Sequence, residues 1–490
     1  MEKTKTAGMA FTVARVVFLI VAIVGLTFIL PIICALAYGE KGVLPYFVVP
    51  MAISFVVGVV FYLAGRKKKY RISTRASFVV VALAWLASAL FGSIPYFASG
   101  AIPNFTDAFF ESISGFTTTG ATILSEIEGL PFAYSINLWR CTTHWLGGMG
   151  IVALTVALLP LLGVGGFQLI RAETTGPEKG KLTSKITTTA KILWFMYFGL
   201  TVMEAILLKV AGMSVYEALC HALSTLGTGG FSTRNASIGG FRSPAVDWII
   251  TTFMFLAGIN FSLYYSLIRR DFKTLRDNSE LKAYLGIVFG SSILIALFEM
   301  GRYGGFFQSL RYSSFQSLTI ISTAGFATDD YTTWTAASQA IIFILFFIGG
   351  CAGSTAGGVK VIRWIVLSKL AHNEILKLLH PRGVFALRID RQPRRNEIGV
   401  TVTAFFFLYL ILVLATTLVA CIFGVDILTS FTGAISMIGN VGPAFGKLGP
   451  SCNYGWLPDA VKWLYSFAML AGRLEFFTMM VFFSPSFWKK

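Results

Sequence analysis

Residues 112–122 read SISGFTTTGAT, a run of small and hydroxylated residues with two glycines, set between two long apolar segments. Its surroundings make it anomalous. Hydrophobic residues are 55% of the 490 and charged residues only 13%, and mean hydropathy is +0.73, the composition of a membrane protein. Polar backbone inside a bilayer needs a partner or a wet cavity, so this stretch calls for a specific job.

Apolar runs lie near 16–38, 45–64, 77–99, 136–163, 192–212, 245–268, 283–300, 336–349, 359–380, 399–424 and 459–482. At roughly 20 residues per crossing they predict about ten spans, with 336–380 as one long interrupted element. Ala35-Leu36-Ala37 has the form of a signal-peptidase site. The apolar stretch before it exceeds the roughly 7–15 residues of a secretory signal, so a retained span is expected. The net charge of +17 is concentrated in four places: Arg66, Lys67, Lys68, Lys69, Arg71 and Arg75; Arg171 to Lys191; Arg269 to Lys282; and Arg382 to Arg395. Each cluster follows an even number of spans, which by the positive-inside rule puts all four, and both termini, in the cytoplasm. The charge is thereby explained without a nucleic-acid partner. Five of the six cysteines (Cys34, Cys141, Cys220, Cys351, Cys421) lie in or beside apolar runs, none at metal-ligand spacing.

The opening stretch recurs. ALSTLGTGGFST at 222–233, SLTIISTAGFAT at 317–328 and AISMIGNVGPA at 434–444 align with it on one glycine. Four four-residue turns result: Thr117-Thr118-Thr119-Gly120, Gly227-Thr228-Gly229-Gly230, Ser322-Thr323-Ala324-Gly325 and Gly439-Asn440-Val441-Gly442. A second signal keeps the same register. The pairs Gly147-Gly148, Ala257-Gly258, Gly349-Gly350 and Ala471-Gly472 follow the aligned glycines by 28, 28, 25 and 30 residues. These pairs read either as helix-packing positions of the small-xxx-small kind or as part of the repeated functional unit.

Each unit is therefore an apolar span, a short amphipathic segment (about 106–116, 216–226, 312–321 and 428–438), a Thr/Gly turn and a second span. Ten helical residues reach about 15 Å, which enters a bilayer core but does not cross it, so the short segments are re-entrant. A half-helix entering from outside points its negative carbonyl end at the membrane centre. Four of them around a pseudo-fourfold axis predict rings of carbonyl oxygens able to replace the hydration shell of a monovalent cation. Glycine suits an extended filter strand whose backbone angles side chains obstruct. Thr118, Thr228, Thr323 and Asn440 form a further column of side-chain oxygens, here the expected potassium ligands. The fold class predicted is an all-α polytopic membrane protein of four pseudo-symmetric span–pore-loop–span repeats around a central pore, plus an N-terminal two-helix hairpin. The expected units are 1–70 (hairpin), 71–170, 171–280, 281–397 (with an intramembrane loop and a cytoplasmic segment) and 398–490.

Together with FIGGCAGSTAGGVK at 347–360, MLAGRLEFF at 469–477 and HPRGVF at 380–385, the four turns resemble the Trk/Ktr/HKT superfamily of potassium transporters over essentially the whole chain. The extra hairpin looks like the Trk-type branch rather than the shorter Ktr-type subunits. The resemblance implies a homodimer with one pore per protomer in the cell (inner) membrane. It also implies a cytoplasmic RCK-type partner that carries the regulatory nucleotide, ATP/ADP or NAD, with no cofactor in this chain. Serine at the first-repeat glycine goes with sodium selectivity in plant members, so Gly120, Gly230, Gly325 and Gly442 together imply potassium. Gly439-Asn440-Val441 departs from the threonine pattern, which implies only moderate selectivity over sodium.

Two anomalies bear on gating. An unbroken helix over the 45 residues of 336–380 would be about 68 Å long against a core of about 30 Å, and the five glycines in 349–358 mark a break. That break, Gly350-Cys351-Ala352-Gly353-Ser354-Thr355-Ala356-Gly357, reads as a packing kink or, by resemblance, as an intramembrane gating loop. Arg473 stands where the sister repeats have Met149, Ile259 and Cys351. An intramembrane arginine needs a compensating partner: Glu475 points away at that helical spacing, so carbonyls of 350–356 are the expected ones. Arg473 is then either a buried structural ion or, by resemblance, an electrostatic barrier below the filter. His144 and His221 read as packing or surface residues. Asp107, Glu111, Glu126, Glu128, Asp329 and Asp330 read as an outer rim, either concentrating cations or merely solvated. With no nucleotide-binding loop or catalytic carboxylate pair, the chain is not expected to be an enzyme. A secondary transporter with broken helices remains the rival, although it would favour inverted repeats, and these four share one orientation. A purely structural subunit would leave the four turns unexplained.

Overall fold

Ser73 opens the first repeat by accepting the amide of Ala76 on its hydroxyl at 3.2 Å, which caps a helix whose apolar length then carries it across. The computed structural model describes residues 2–65, 73–150, 186–390, 392–393 and 397–488. They are helical throughout except for turns and a two-residue antiparallel pairing of Arg388–Ile389 with Gln392–Pro393.

The repeats are legible in the element order. An N-terminal hairpin consists of α1 (Glu2–Leu26), α2 (Ile29–Tyr38) and α3 (Leu44–Gly65). Repeat 1 has α4 (Thr74–Ala98), α5 (Phe105–Phe116) and α6 (Ala133–Gly148). Repeat 2 has α7 (Ile186–Val210), α8 (Val215–Gly227), α9 (Pro244–Ala257) and α10 (Phe261–Ile268). Repeat 3 has α11 (Ser279–Phe298), α12 (Phe306–Ile321), α13 (Ala336–Leu345) and α14 (Val361–Leu379). Repeat 4 has α15 (Glu397–Ile422), α16 (Ile427–Gly439), α17 (Asp459–Arg473) and α18 (Phe477–Met480).

Of the short helices α5, α8, α12 and α16, three begin at side-chain caps. Asn104 accepts from Thr106, Ser214 forms a capping box with Glu217, and Asp426 accepts from Thr429; α12 starts at Gly305 with no side-chain cap and extends further toward its N-terminus than the sequence suggests. Capping satisfies amides that would otherwise be orphaned at each helix start. Short helices also pack on the second span of the preceding repeat, α8 on α6 and α12 on α9. Phe343 of α13 approaches Phe431 of α16, and Trp463 of α17 stacks on Phe109 of α5 at 4.8 Å, which closes the circle from repeat 4 to repeat 1. The short helices form the centre, while apolar side chains of the first spans, such as Phe195, Ile206, Phe407, Leu414 and Leu418, are exposed on the outside. An outward apolar surface of this kind is what lipid covers.

The hairpin attaches to repeat 1 through Glu40, whose carboxylate accepts from the amides of Tyr134 at 3.0 Å and Ser135 at 2.9 Å at the start of α6. Small residues let its helices approach: a Cβ on Gly58 would lie 2.5 Å from the Cβ of Ala22.

One expectation needs correction. The second spans are not continuous outside the third unit; they break at the small-residue pair. The axis turns by 93° between α9 and α10, and by 113° at the break after α17. α6 ends at Gly148, and the rest of the 136–163 run lies mostly outside the described residues. The cause is close backbone packing. A Cβ on Gly147 would lie 1.9 Å from the Phe116 carbonyl oxygen, and one on Gly472 2.0 Å from that of Ile438, so the second span runs directly under the end of its own short helix. Among the described residues, six helices are long and apolar enough to cross a membrane, or eight if each bent pair is one span.

Candidate ion pathway

Each short helix ends in the same way. The second residue of every turn adopts left-handed backbone: Thr118 has φ 56°, Thr228 55°, Thr323 55° and Asn440 53°. The following amide reaches back five residues, Thr119 to Ser114, Gly229 to Ser224, Ala324 to Thr319 and Val441 to Ser436, at 2.8–3.0 Å. This is a Schellman closure, unusual only in placing threonine or asparagine where glycine is the common choice. The expected extended strand is thus a tight turn of alternating handedness, because the amides are drawn back onto the helix that precedes them. The carbonyls of the third residues are left facing the other way.

The fourth residue is glycine for two reasons. Its φ is 76°, 83°, 75° and 99° at Gly120, Gly230, Gly325 and Gly442. It also abuts the next turn. A Cβ on Gly120 would lie 1.8 Å from the Gly229 oxygen, on Gly230 2.2 Å from that of Ala324, on Gly325 2.6 Å from that of Val441, and on Gly442 2.5 Å from that of Thr119. The four contacts run from repeat 1 to 2, 3, 4 and back to 1, so the oxygens of Thr119, Gly229, Ala324 and Val441 belong to one closed ring. Among the described residues, no hydrogen-bond donor lies on any of the four.

The side chains of the second column divide into two pairs. Among the described residues, Thr118 Oγ1 and Asn440 Oδ1 are buried without a hydrogen-bond partner, while Asn440 Nδ2 donates to Thr119 Oγ1 at 3.0 Å and to the Met469 carbonyl at 2.9 Å. Asparagine therefore keeps an oxygen free, as threonine does in repeat 1, and ties repeat 4 to repeat 1. Thr228 Oγ1 donates to the carbonyl of Thr355 at 3.0 Å, and Thr323 Oγ1 accepts from the amide of Gly357 at 2.6 Å. The glycine-rich segment thus lies directly against the turns.

That segment is a loop closed at its neck by Gly349 N to Val359 O at 2.9 Å and Val361 N to Gly350 O at 3.2 Å. Cys351 N donates to Gly258 O, Gly353 O accepts from Phe261 N, and Ser354 N turns back onto Cys351 O. Thr355 Oγ1 donates to Ala257 O at 3.2 Å, and Gly357 packs against the Gly439 oxygen and Asn440. The Thr355 carbonyl also accepts from Arg473 Nη1 at 3.0 Å, and Arg473 Nη2 donates to the carbonyls of Gly147 at 2.5 Å and Gly148 at 2.9 Å. One guanidinium therefore joins repeats 4, 1 and 3 below the ring. Glu475 pairs instead with Arg363, which lies over the Phe405 ring.

Sequence reading missed two charged residues here. Glu280 Oε1 accepts from the amides of Ala352 at 2.7 Å and Ile362 at 3.1 Å, holding both ends of the loop. Lys360 is buried, with its ammonium on the Ala356 carbonyl. The available signals were an acid within the basic cluster 269–282 and a lysine directly after the glycine-rich run. His144 and His221 are fully buried rather than superficial.

All four fourth-position glycines border an open depression of about 750 Å³ on the side of the ring away from the loop. None of the six candidate rim acids lines it. Glu111 is instead buried in an ion pair with Arg140 at 2.7 Å, and Asp107 pairs with Lys462 at 2.6 Å, whereas Glu126 and Glu128 bond to Asn235, which does line it. On the loop side, Ala356, Lys360, Arg363, Asn440, Arg473 and Glu475 border a small cleft.

The family TrkH, described as cation transport protein, matches residues 44–301 and 307–490. The chain is 40% identical over 482 residues to the Trk system potassium uptake protein TrkH of Halomonas elongata, covering 98% of this chain and 99% of the relative. It is 37% identical over 484 residues to the protein of that name in Escherichia coli K12, with the same coverage. The crystal structure of the potassium transporter TrkH from Vibrio parahaemolyticus is similar with a TM-score of 0.86 and 32% identity, covering 98% of this chain and 99% of that one.

Proposed function

The chain belongs to the TrkH family of cation transport proteins, and from that membership we propose that it is a potassium uptake pathway whose ion passes through the ring of turn oxygens. The observation that carries this reading is the closed circle of Thr119, Gly229, Ala324 and Val441 oxygens, donor-free among the described residues. A cation that sheds water must find replacement oxygens. Four short helices direct their negative carbonyl ends toward the same place, and the side-chain oxygens of Thr118 and Asn440, unpartnered among the described residues, supply further ligands.

Residues 349–358 and Arg473 act as the gate in this reading. The loop occupies the underside of the turns through Thr355 and Gly357, and a fixed cation there raises the energy of a passing one. Opening requires the Thr228, Thr323 and Arg473 bonds to the loop to release together. The depression of about 750 Å³ faces outward in this scheme, and the termini and the linker carrying Arg388–Ile389 face the cytoplasm, in line with the basic clusters. The family relationship further supports a homodimer in the inner membrane and a cytoplasmic RCK-type nucleotide-binding partner.

The membrane potential supplies about 2.3 kcal/mol per charge per 100 mV, enough to drive uptake without a second ion. The test is flux into proteoliposomes under separate potassium, sodium and proton gradients. Potassium flux that follows its own gradient and the voltage supports a channel-like path. Flux at fixed potassium that follows the sodium or proton gradient replaces it with coupled symport, and equal sodium and potassium permeation overturns the assignment of the ion.

A further inference from the structure

The third turn position carries a side chain in three repeats, Thr119, Ala324 and Val441, and none in the second, where Gly229 stands. The space is filled from another repeat. A Cβ on Gly229 would lie 2.2 Å from both Cγ and Nδ1 of His144, which comes from α6 of repeat 1. The ring is fully buried and held on two sides: Nδ1 shares a hydrogen bond with Ser224 Oγ at 2.9 Å, and the ring stacks on Phe231 at a centroid distance of 4.1 Å. Ser224 is also the residue whose carbonyl accepts the Gly229 amide at 3.0 Å. The backbone of His144 presses on the same turn, its oxygen 2.6 Å from where a Cβ on Gly227 would stand. The Gly229 peptide is thus enclosed between Gly120 on its carbonyl side and the imidazole near its Cα.

We infer that His144 is a positioning residue for ion selection, taking the place of the absent third-position side chain of repeat 2 and fixing the Gly229 carbonyl in the ring. This rests on the ring being the ion-selecting element. Glycine is the most permissive backbone residue, and a ring whose four members must hold one spacing cannot leave one of them free. In repeats 1, 3 and 4 the residue's own Cβ packs the turn; in repeat 2 the packing comes from the neighbouring repeat, so His144 and Gly229 form one unit.

The experiment is a two-residue cycle read by potassium-to-sodium permeability ratio under bi-ionic conditions in proteoliposomes, with thermal stability and oligomeric state measured in parallel. His144→Ala is expected to keep potassium flux and lower the ratio about tenfold, equivalent to about 1.4 kcal/mol. Gly229→Ala alone is expected to abolish flux or lower the ratio at least as far, because its methyl meets the ring. His144→Gly combined with Gly229→Ala is expected to recover the ratio to within about threefold of the intact protein, since the methyl restores local packing. A residue that only stabilised the fold would change melting temperature and leave the ratio alone. An unchanged ratio in folded His144→Ala overturns the inference. If that variant does not assemble, the cycle decides: a tolerated Gly229→Ala, or a double variant no better than Gly229→Ala, overturns it equally. An intact protein without potassium preference overturns the proposed ion along with this inference, whereas intact preference with an unaffected variant removes the inference alone.

Discussion

A Cβ on Gly120 would stand 1.8 Å from the carbonyl oxygen of Gly229, 109 positions later in the chain. The same approach occurs at 2.2 Å for Gly230, 2.5 Å for Gly442 and 2.6 Å for Gly325. Serine at any of these sites must displace an oxygen of the ring, and the displacement grows as the gap shrinks. The potassium-to-sodium permeability ratio is expected to fall in all four serine variants, most in Gly120→Ser and least in Gly325→Ser. Bi-ionic measurements on folded protein check the order, and an unchanged ratio in Gly120→Ser removes that residue from ion selection.

Arg473→Ala removes a cation that donates to Thr355, Gly147 and Gly148. If its charge limits passage, relief of even about 1.4 kcal/mol raises potassium flux roughly tenfold while the potassium-to-sodium ratio stays unchanged. If it serves only as a brace between repeats, the variant instead loses thermal stability without gaining flux. Flux per folded protein, measured beside the melting curve, separates the two.

Deletion of residues within 350–356 removes the Thr355 contact with Thr228 but leaves the four turns intact. Basal potassium flux without any cytoplasmic partner is expected to rise. Flux at the level of the intact protein would make the loop a packing element.

Glu280 holds the loop at both ends through Ala352 and Ile362. Glu280→Ala strands two amides, at a cost of about 1–3 kcal/mol for each buried group left without a partner, and is expected to loosen the closed position and raise basal flux several-fold. Glu280→Gln keeps an acceptor oxygen and should behave close to the intact protein. Equal effects of the two substitutions would point to the charge rather than to the hydrogen bonds.

Asn440→Thr makes the second column uniform in sequence yet should not improve selectivity. Threonine lacks the amide that reaches both Thr119 Oγ1 and the Met469 carbonyl, so the tie between repeats 4 and 1 is lost. Lower thermal stability and a lower or unchanged potassium-to-sodium ratio are expected; a clear rise in the ratio would show that symmetry of the column outweighs that tie.

Much of the architecture is legible from the chain alone, because its signals are local. Apolar length marks spans, and a half-length amphipathic segment before Thr-Thr-Thr-Gly or Ser-Thr-Ala-Gly marks a re-entrant unit. The aligned glycines, the break at 349–358 and the misplaced Arg473 are likewise visible as departures from a repeat, and the all-helical fold agrees with them. Where the second spans break was not visible outside the third unit, since Ala257-Gly258 and Ala471-Gly472 suit a straight packed helix as well as a bent one.

What tertiary structure decided are the relationships between repeats. The sequence determined that four turns carry a glycine at the same place; only folding set each glycine against the preceding residue of the next turn and so closed the ring. The sequence placed His144 on an apolar segment and Glu280 among basic residues, and nothing near either names its partner. His144 meets Gly229 and Glu280 meets Ala352 and Ile362 across separations of more than 70 positions. Periodicity and hydropathy report how a residue relates to its own helix, whereas a van der Waals or hydrogen-bond contact acts over a few ångströms between helices, and only the packed chain brings those helices together.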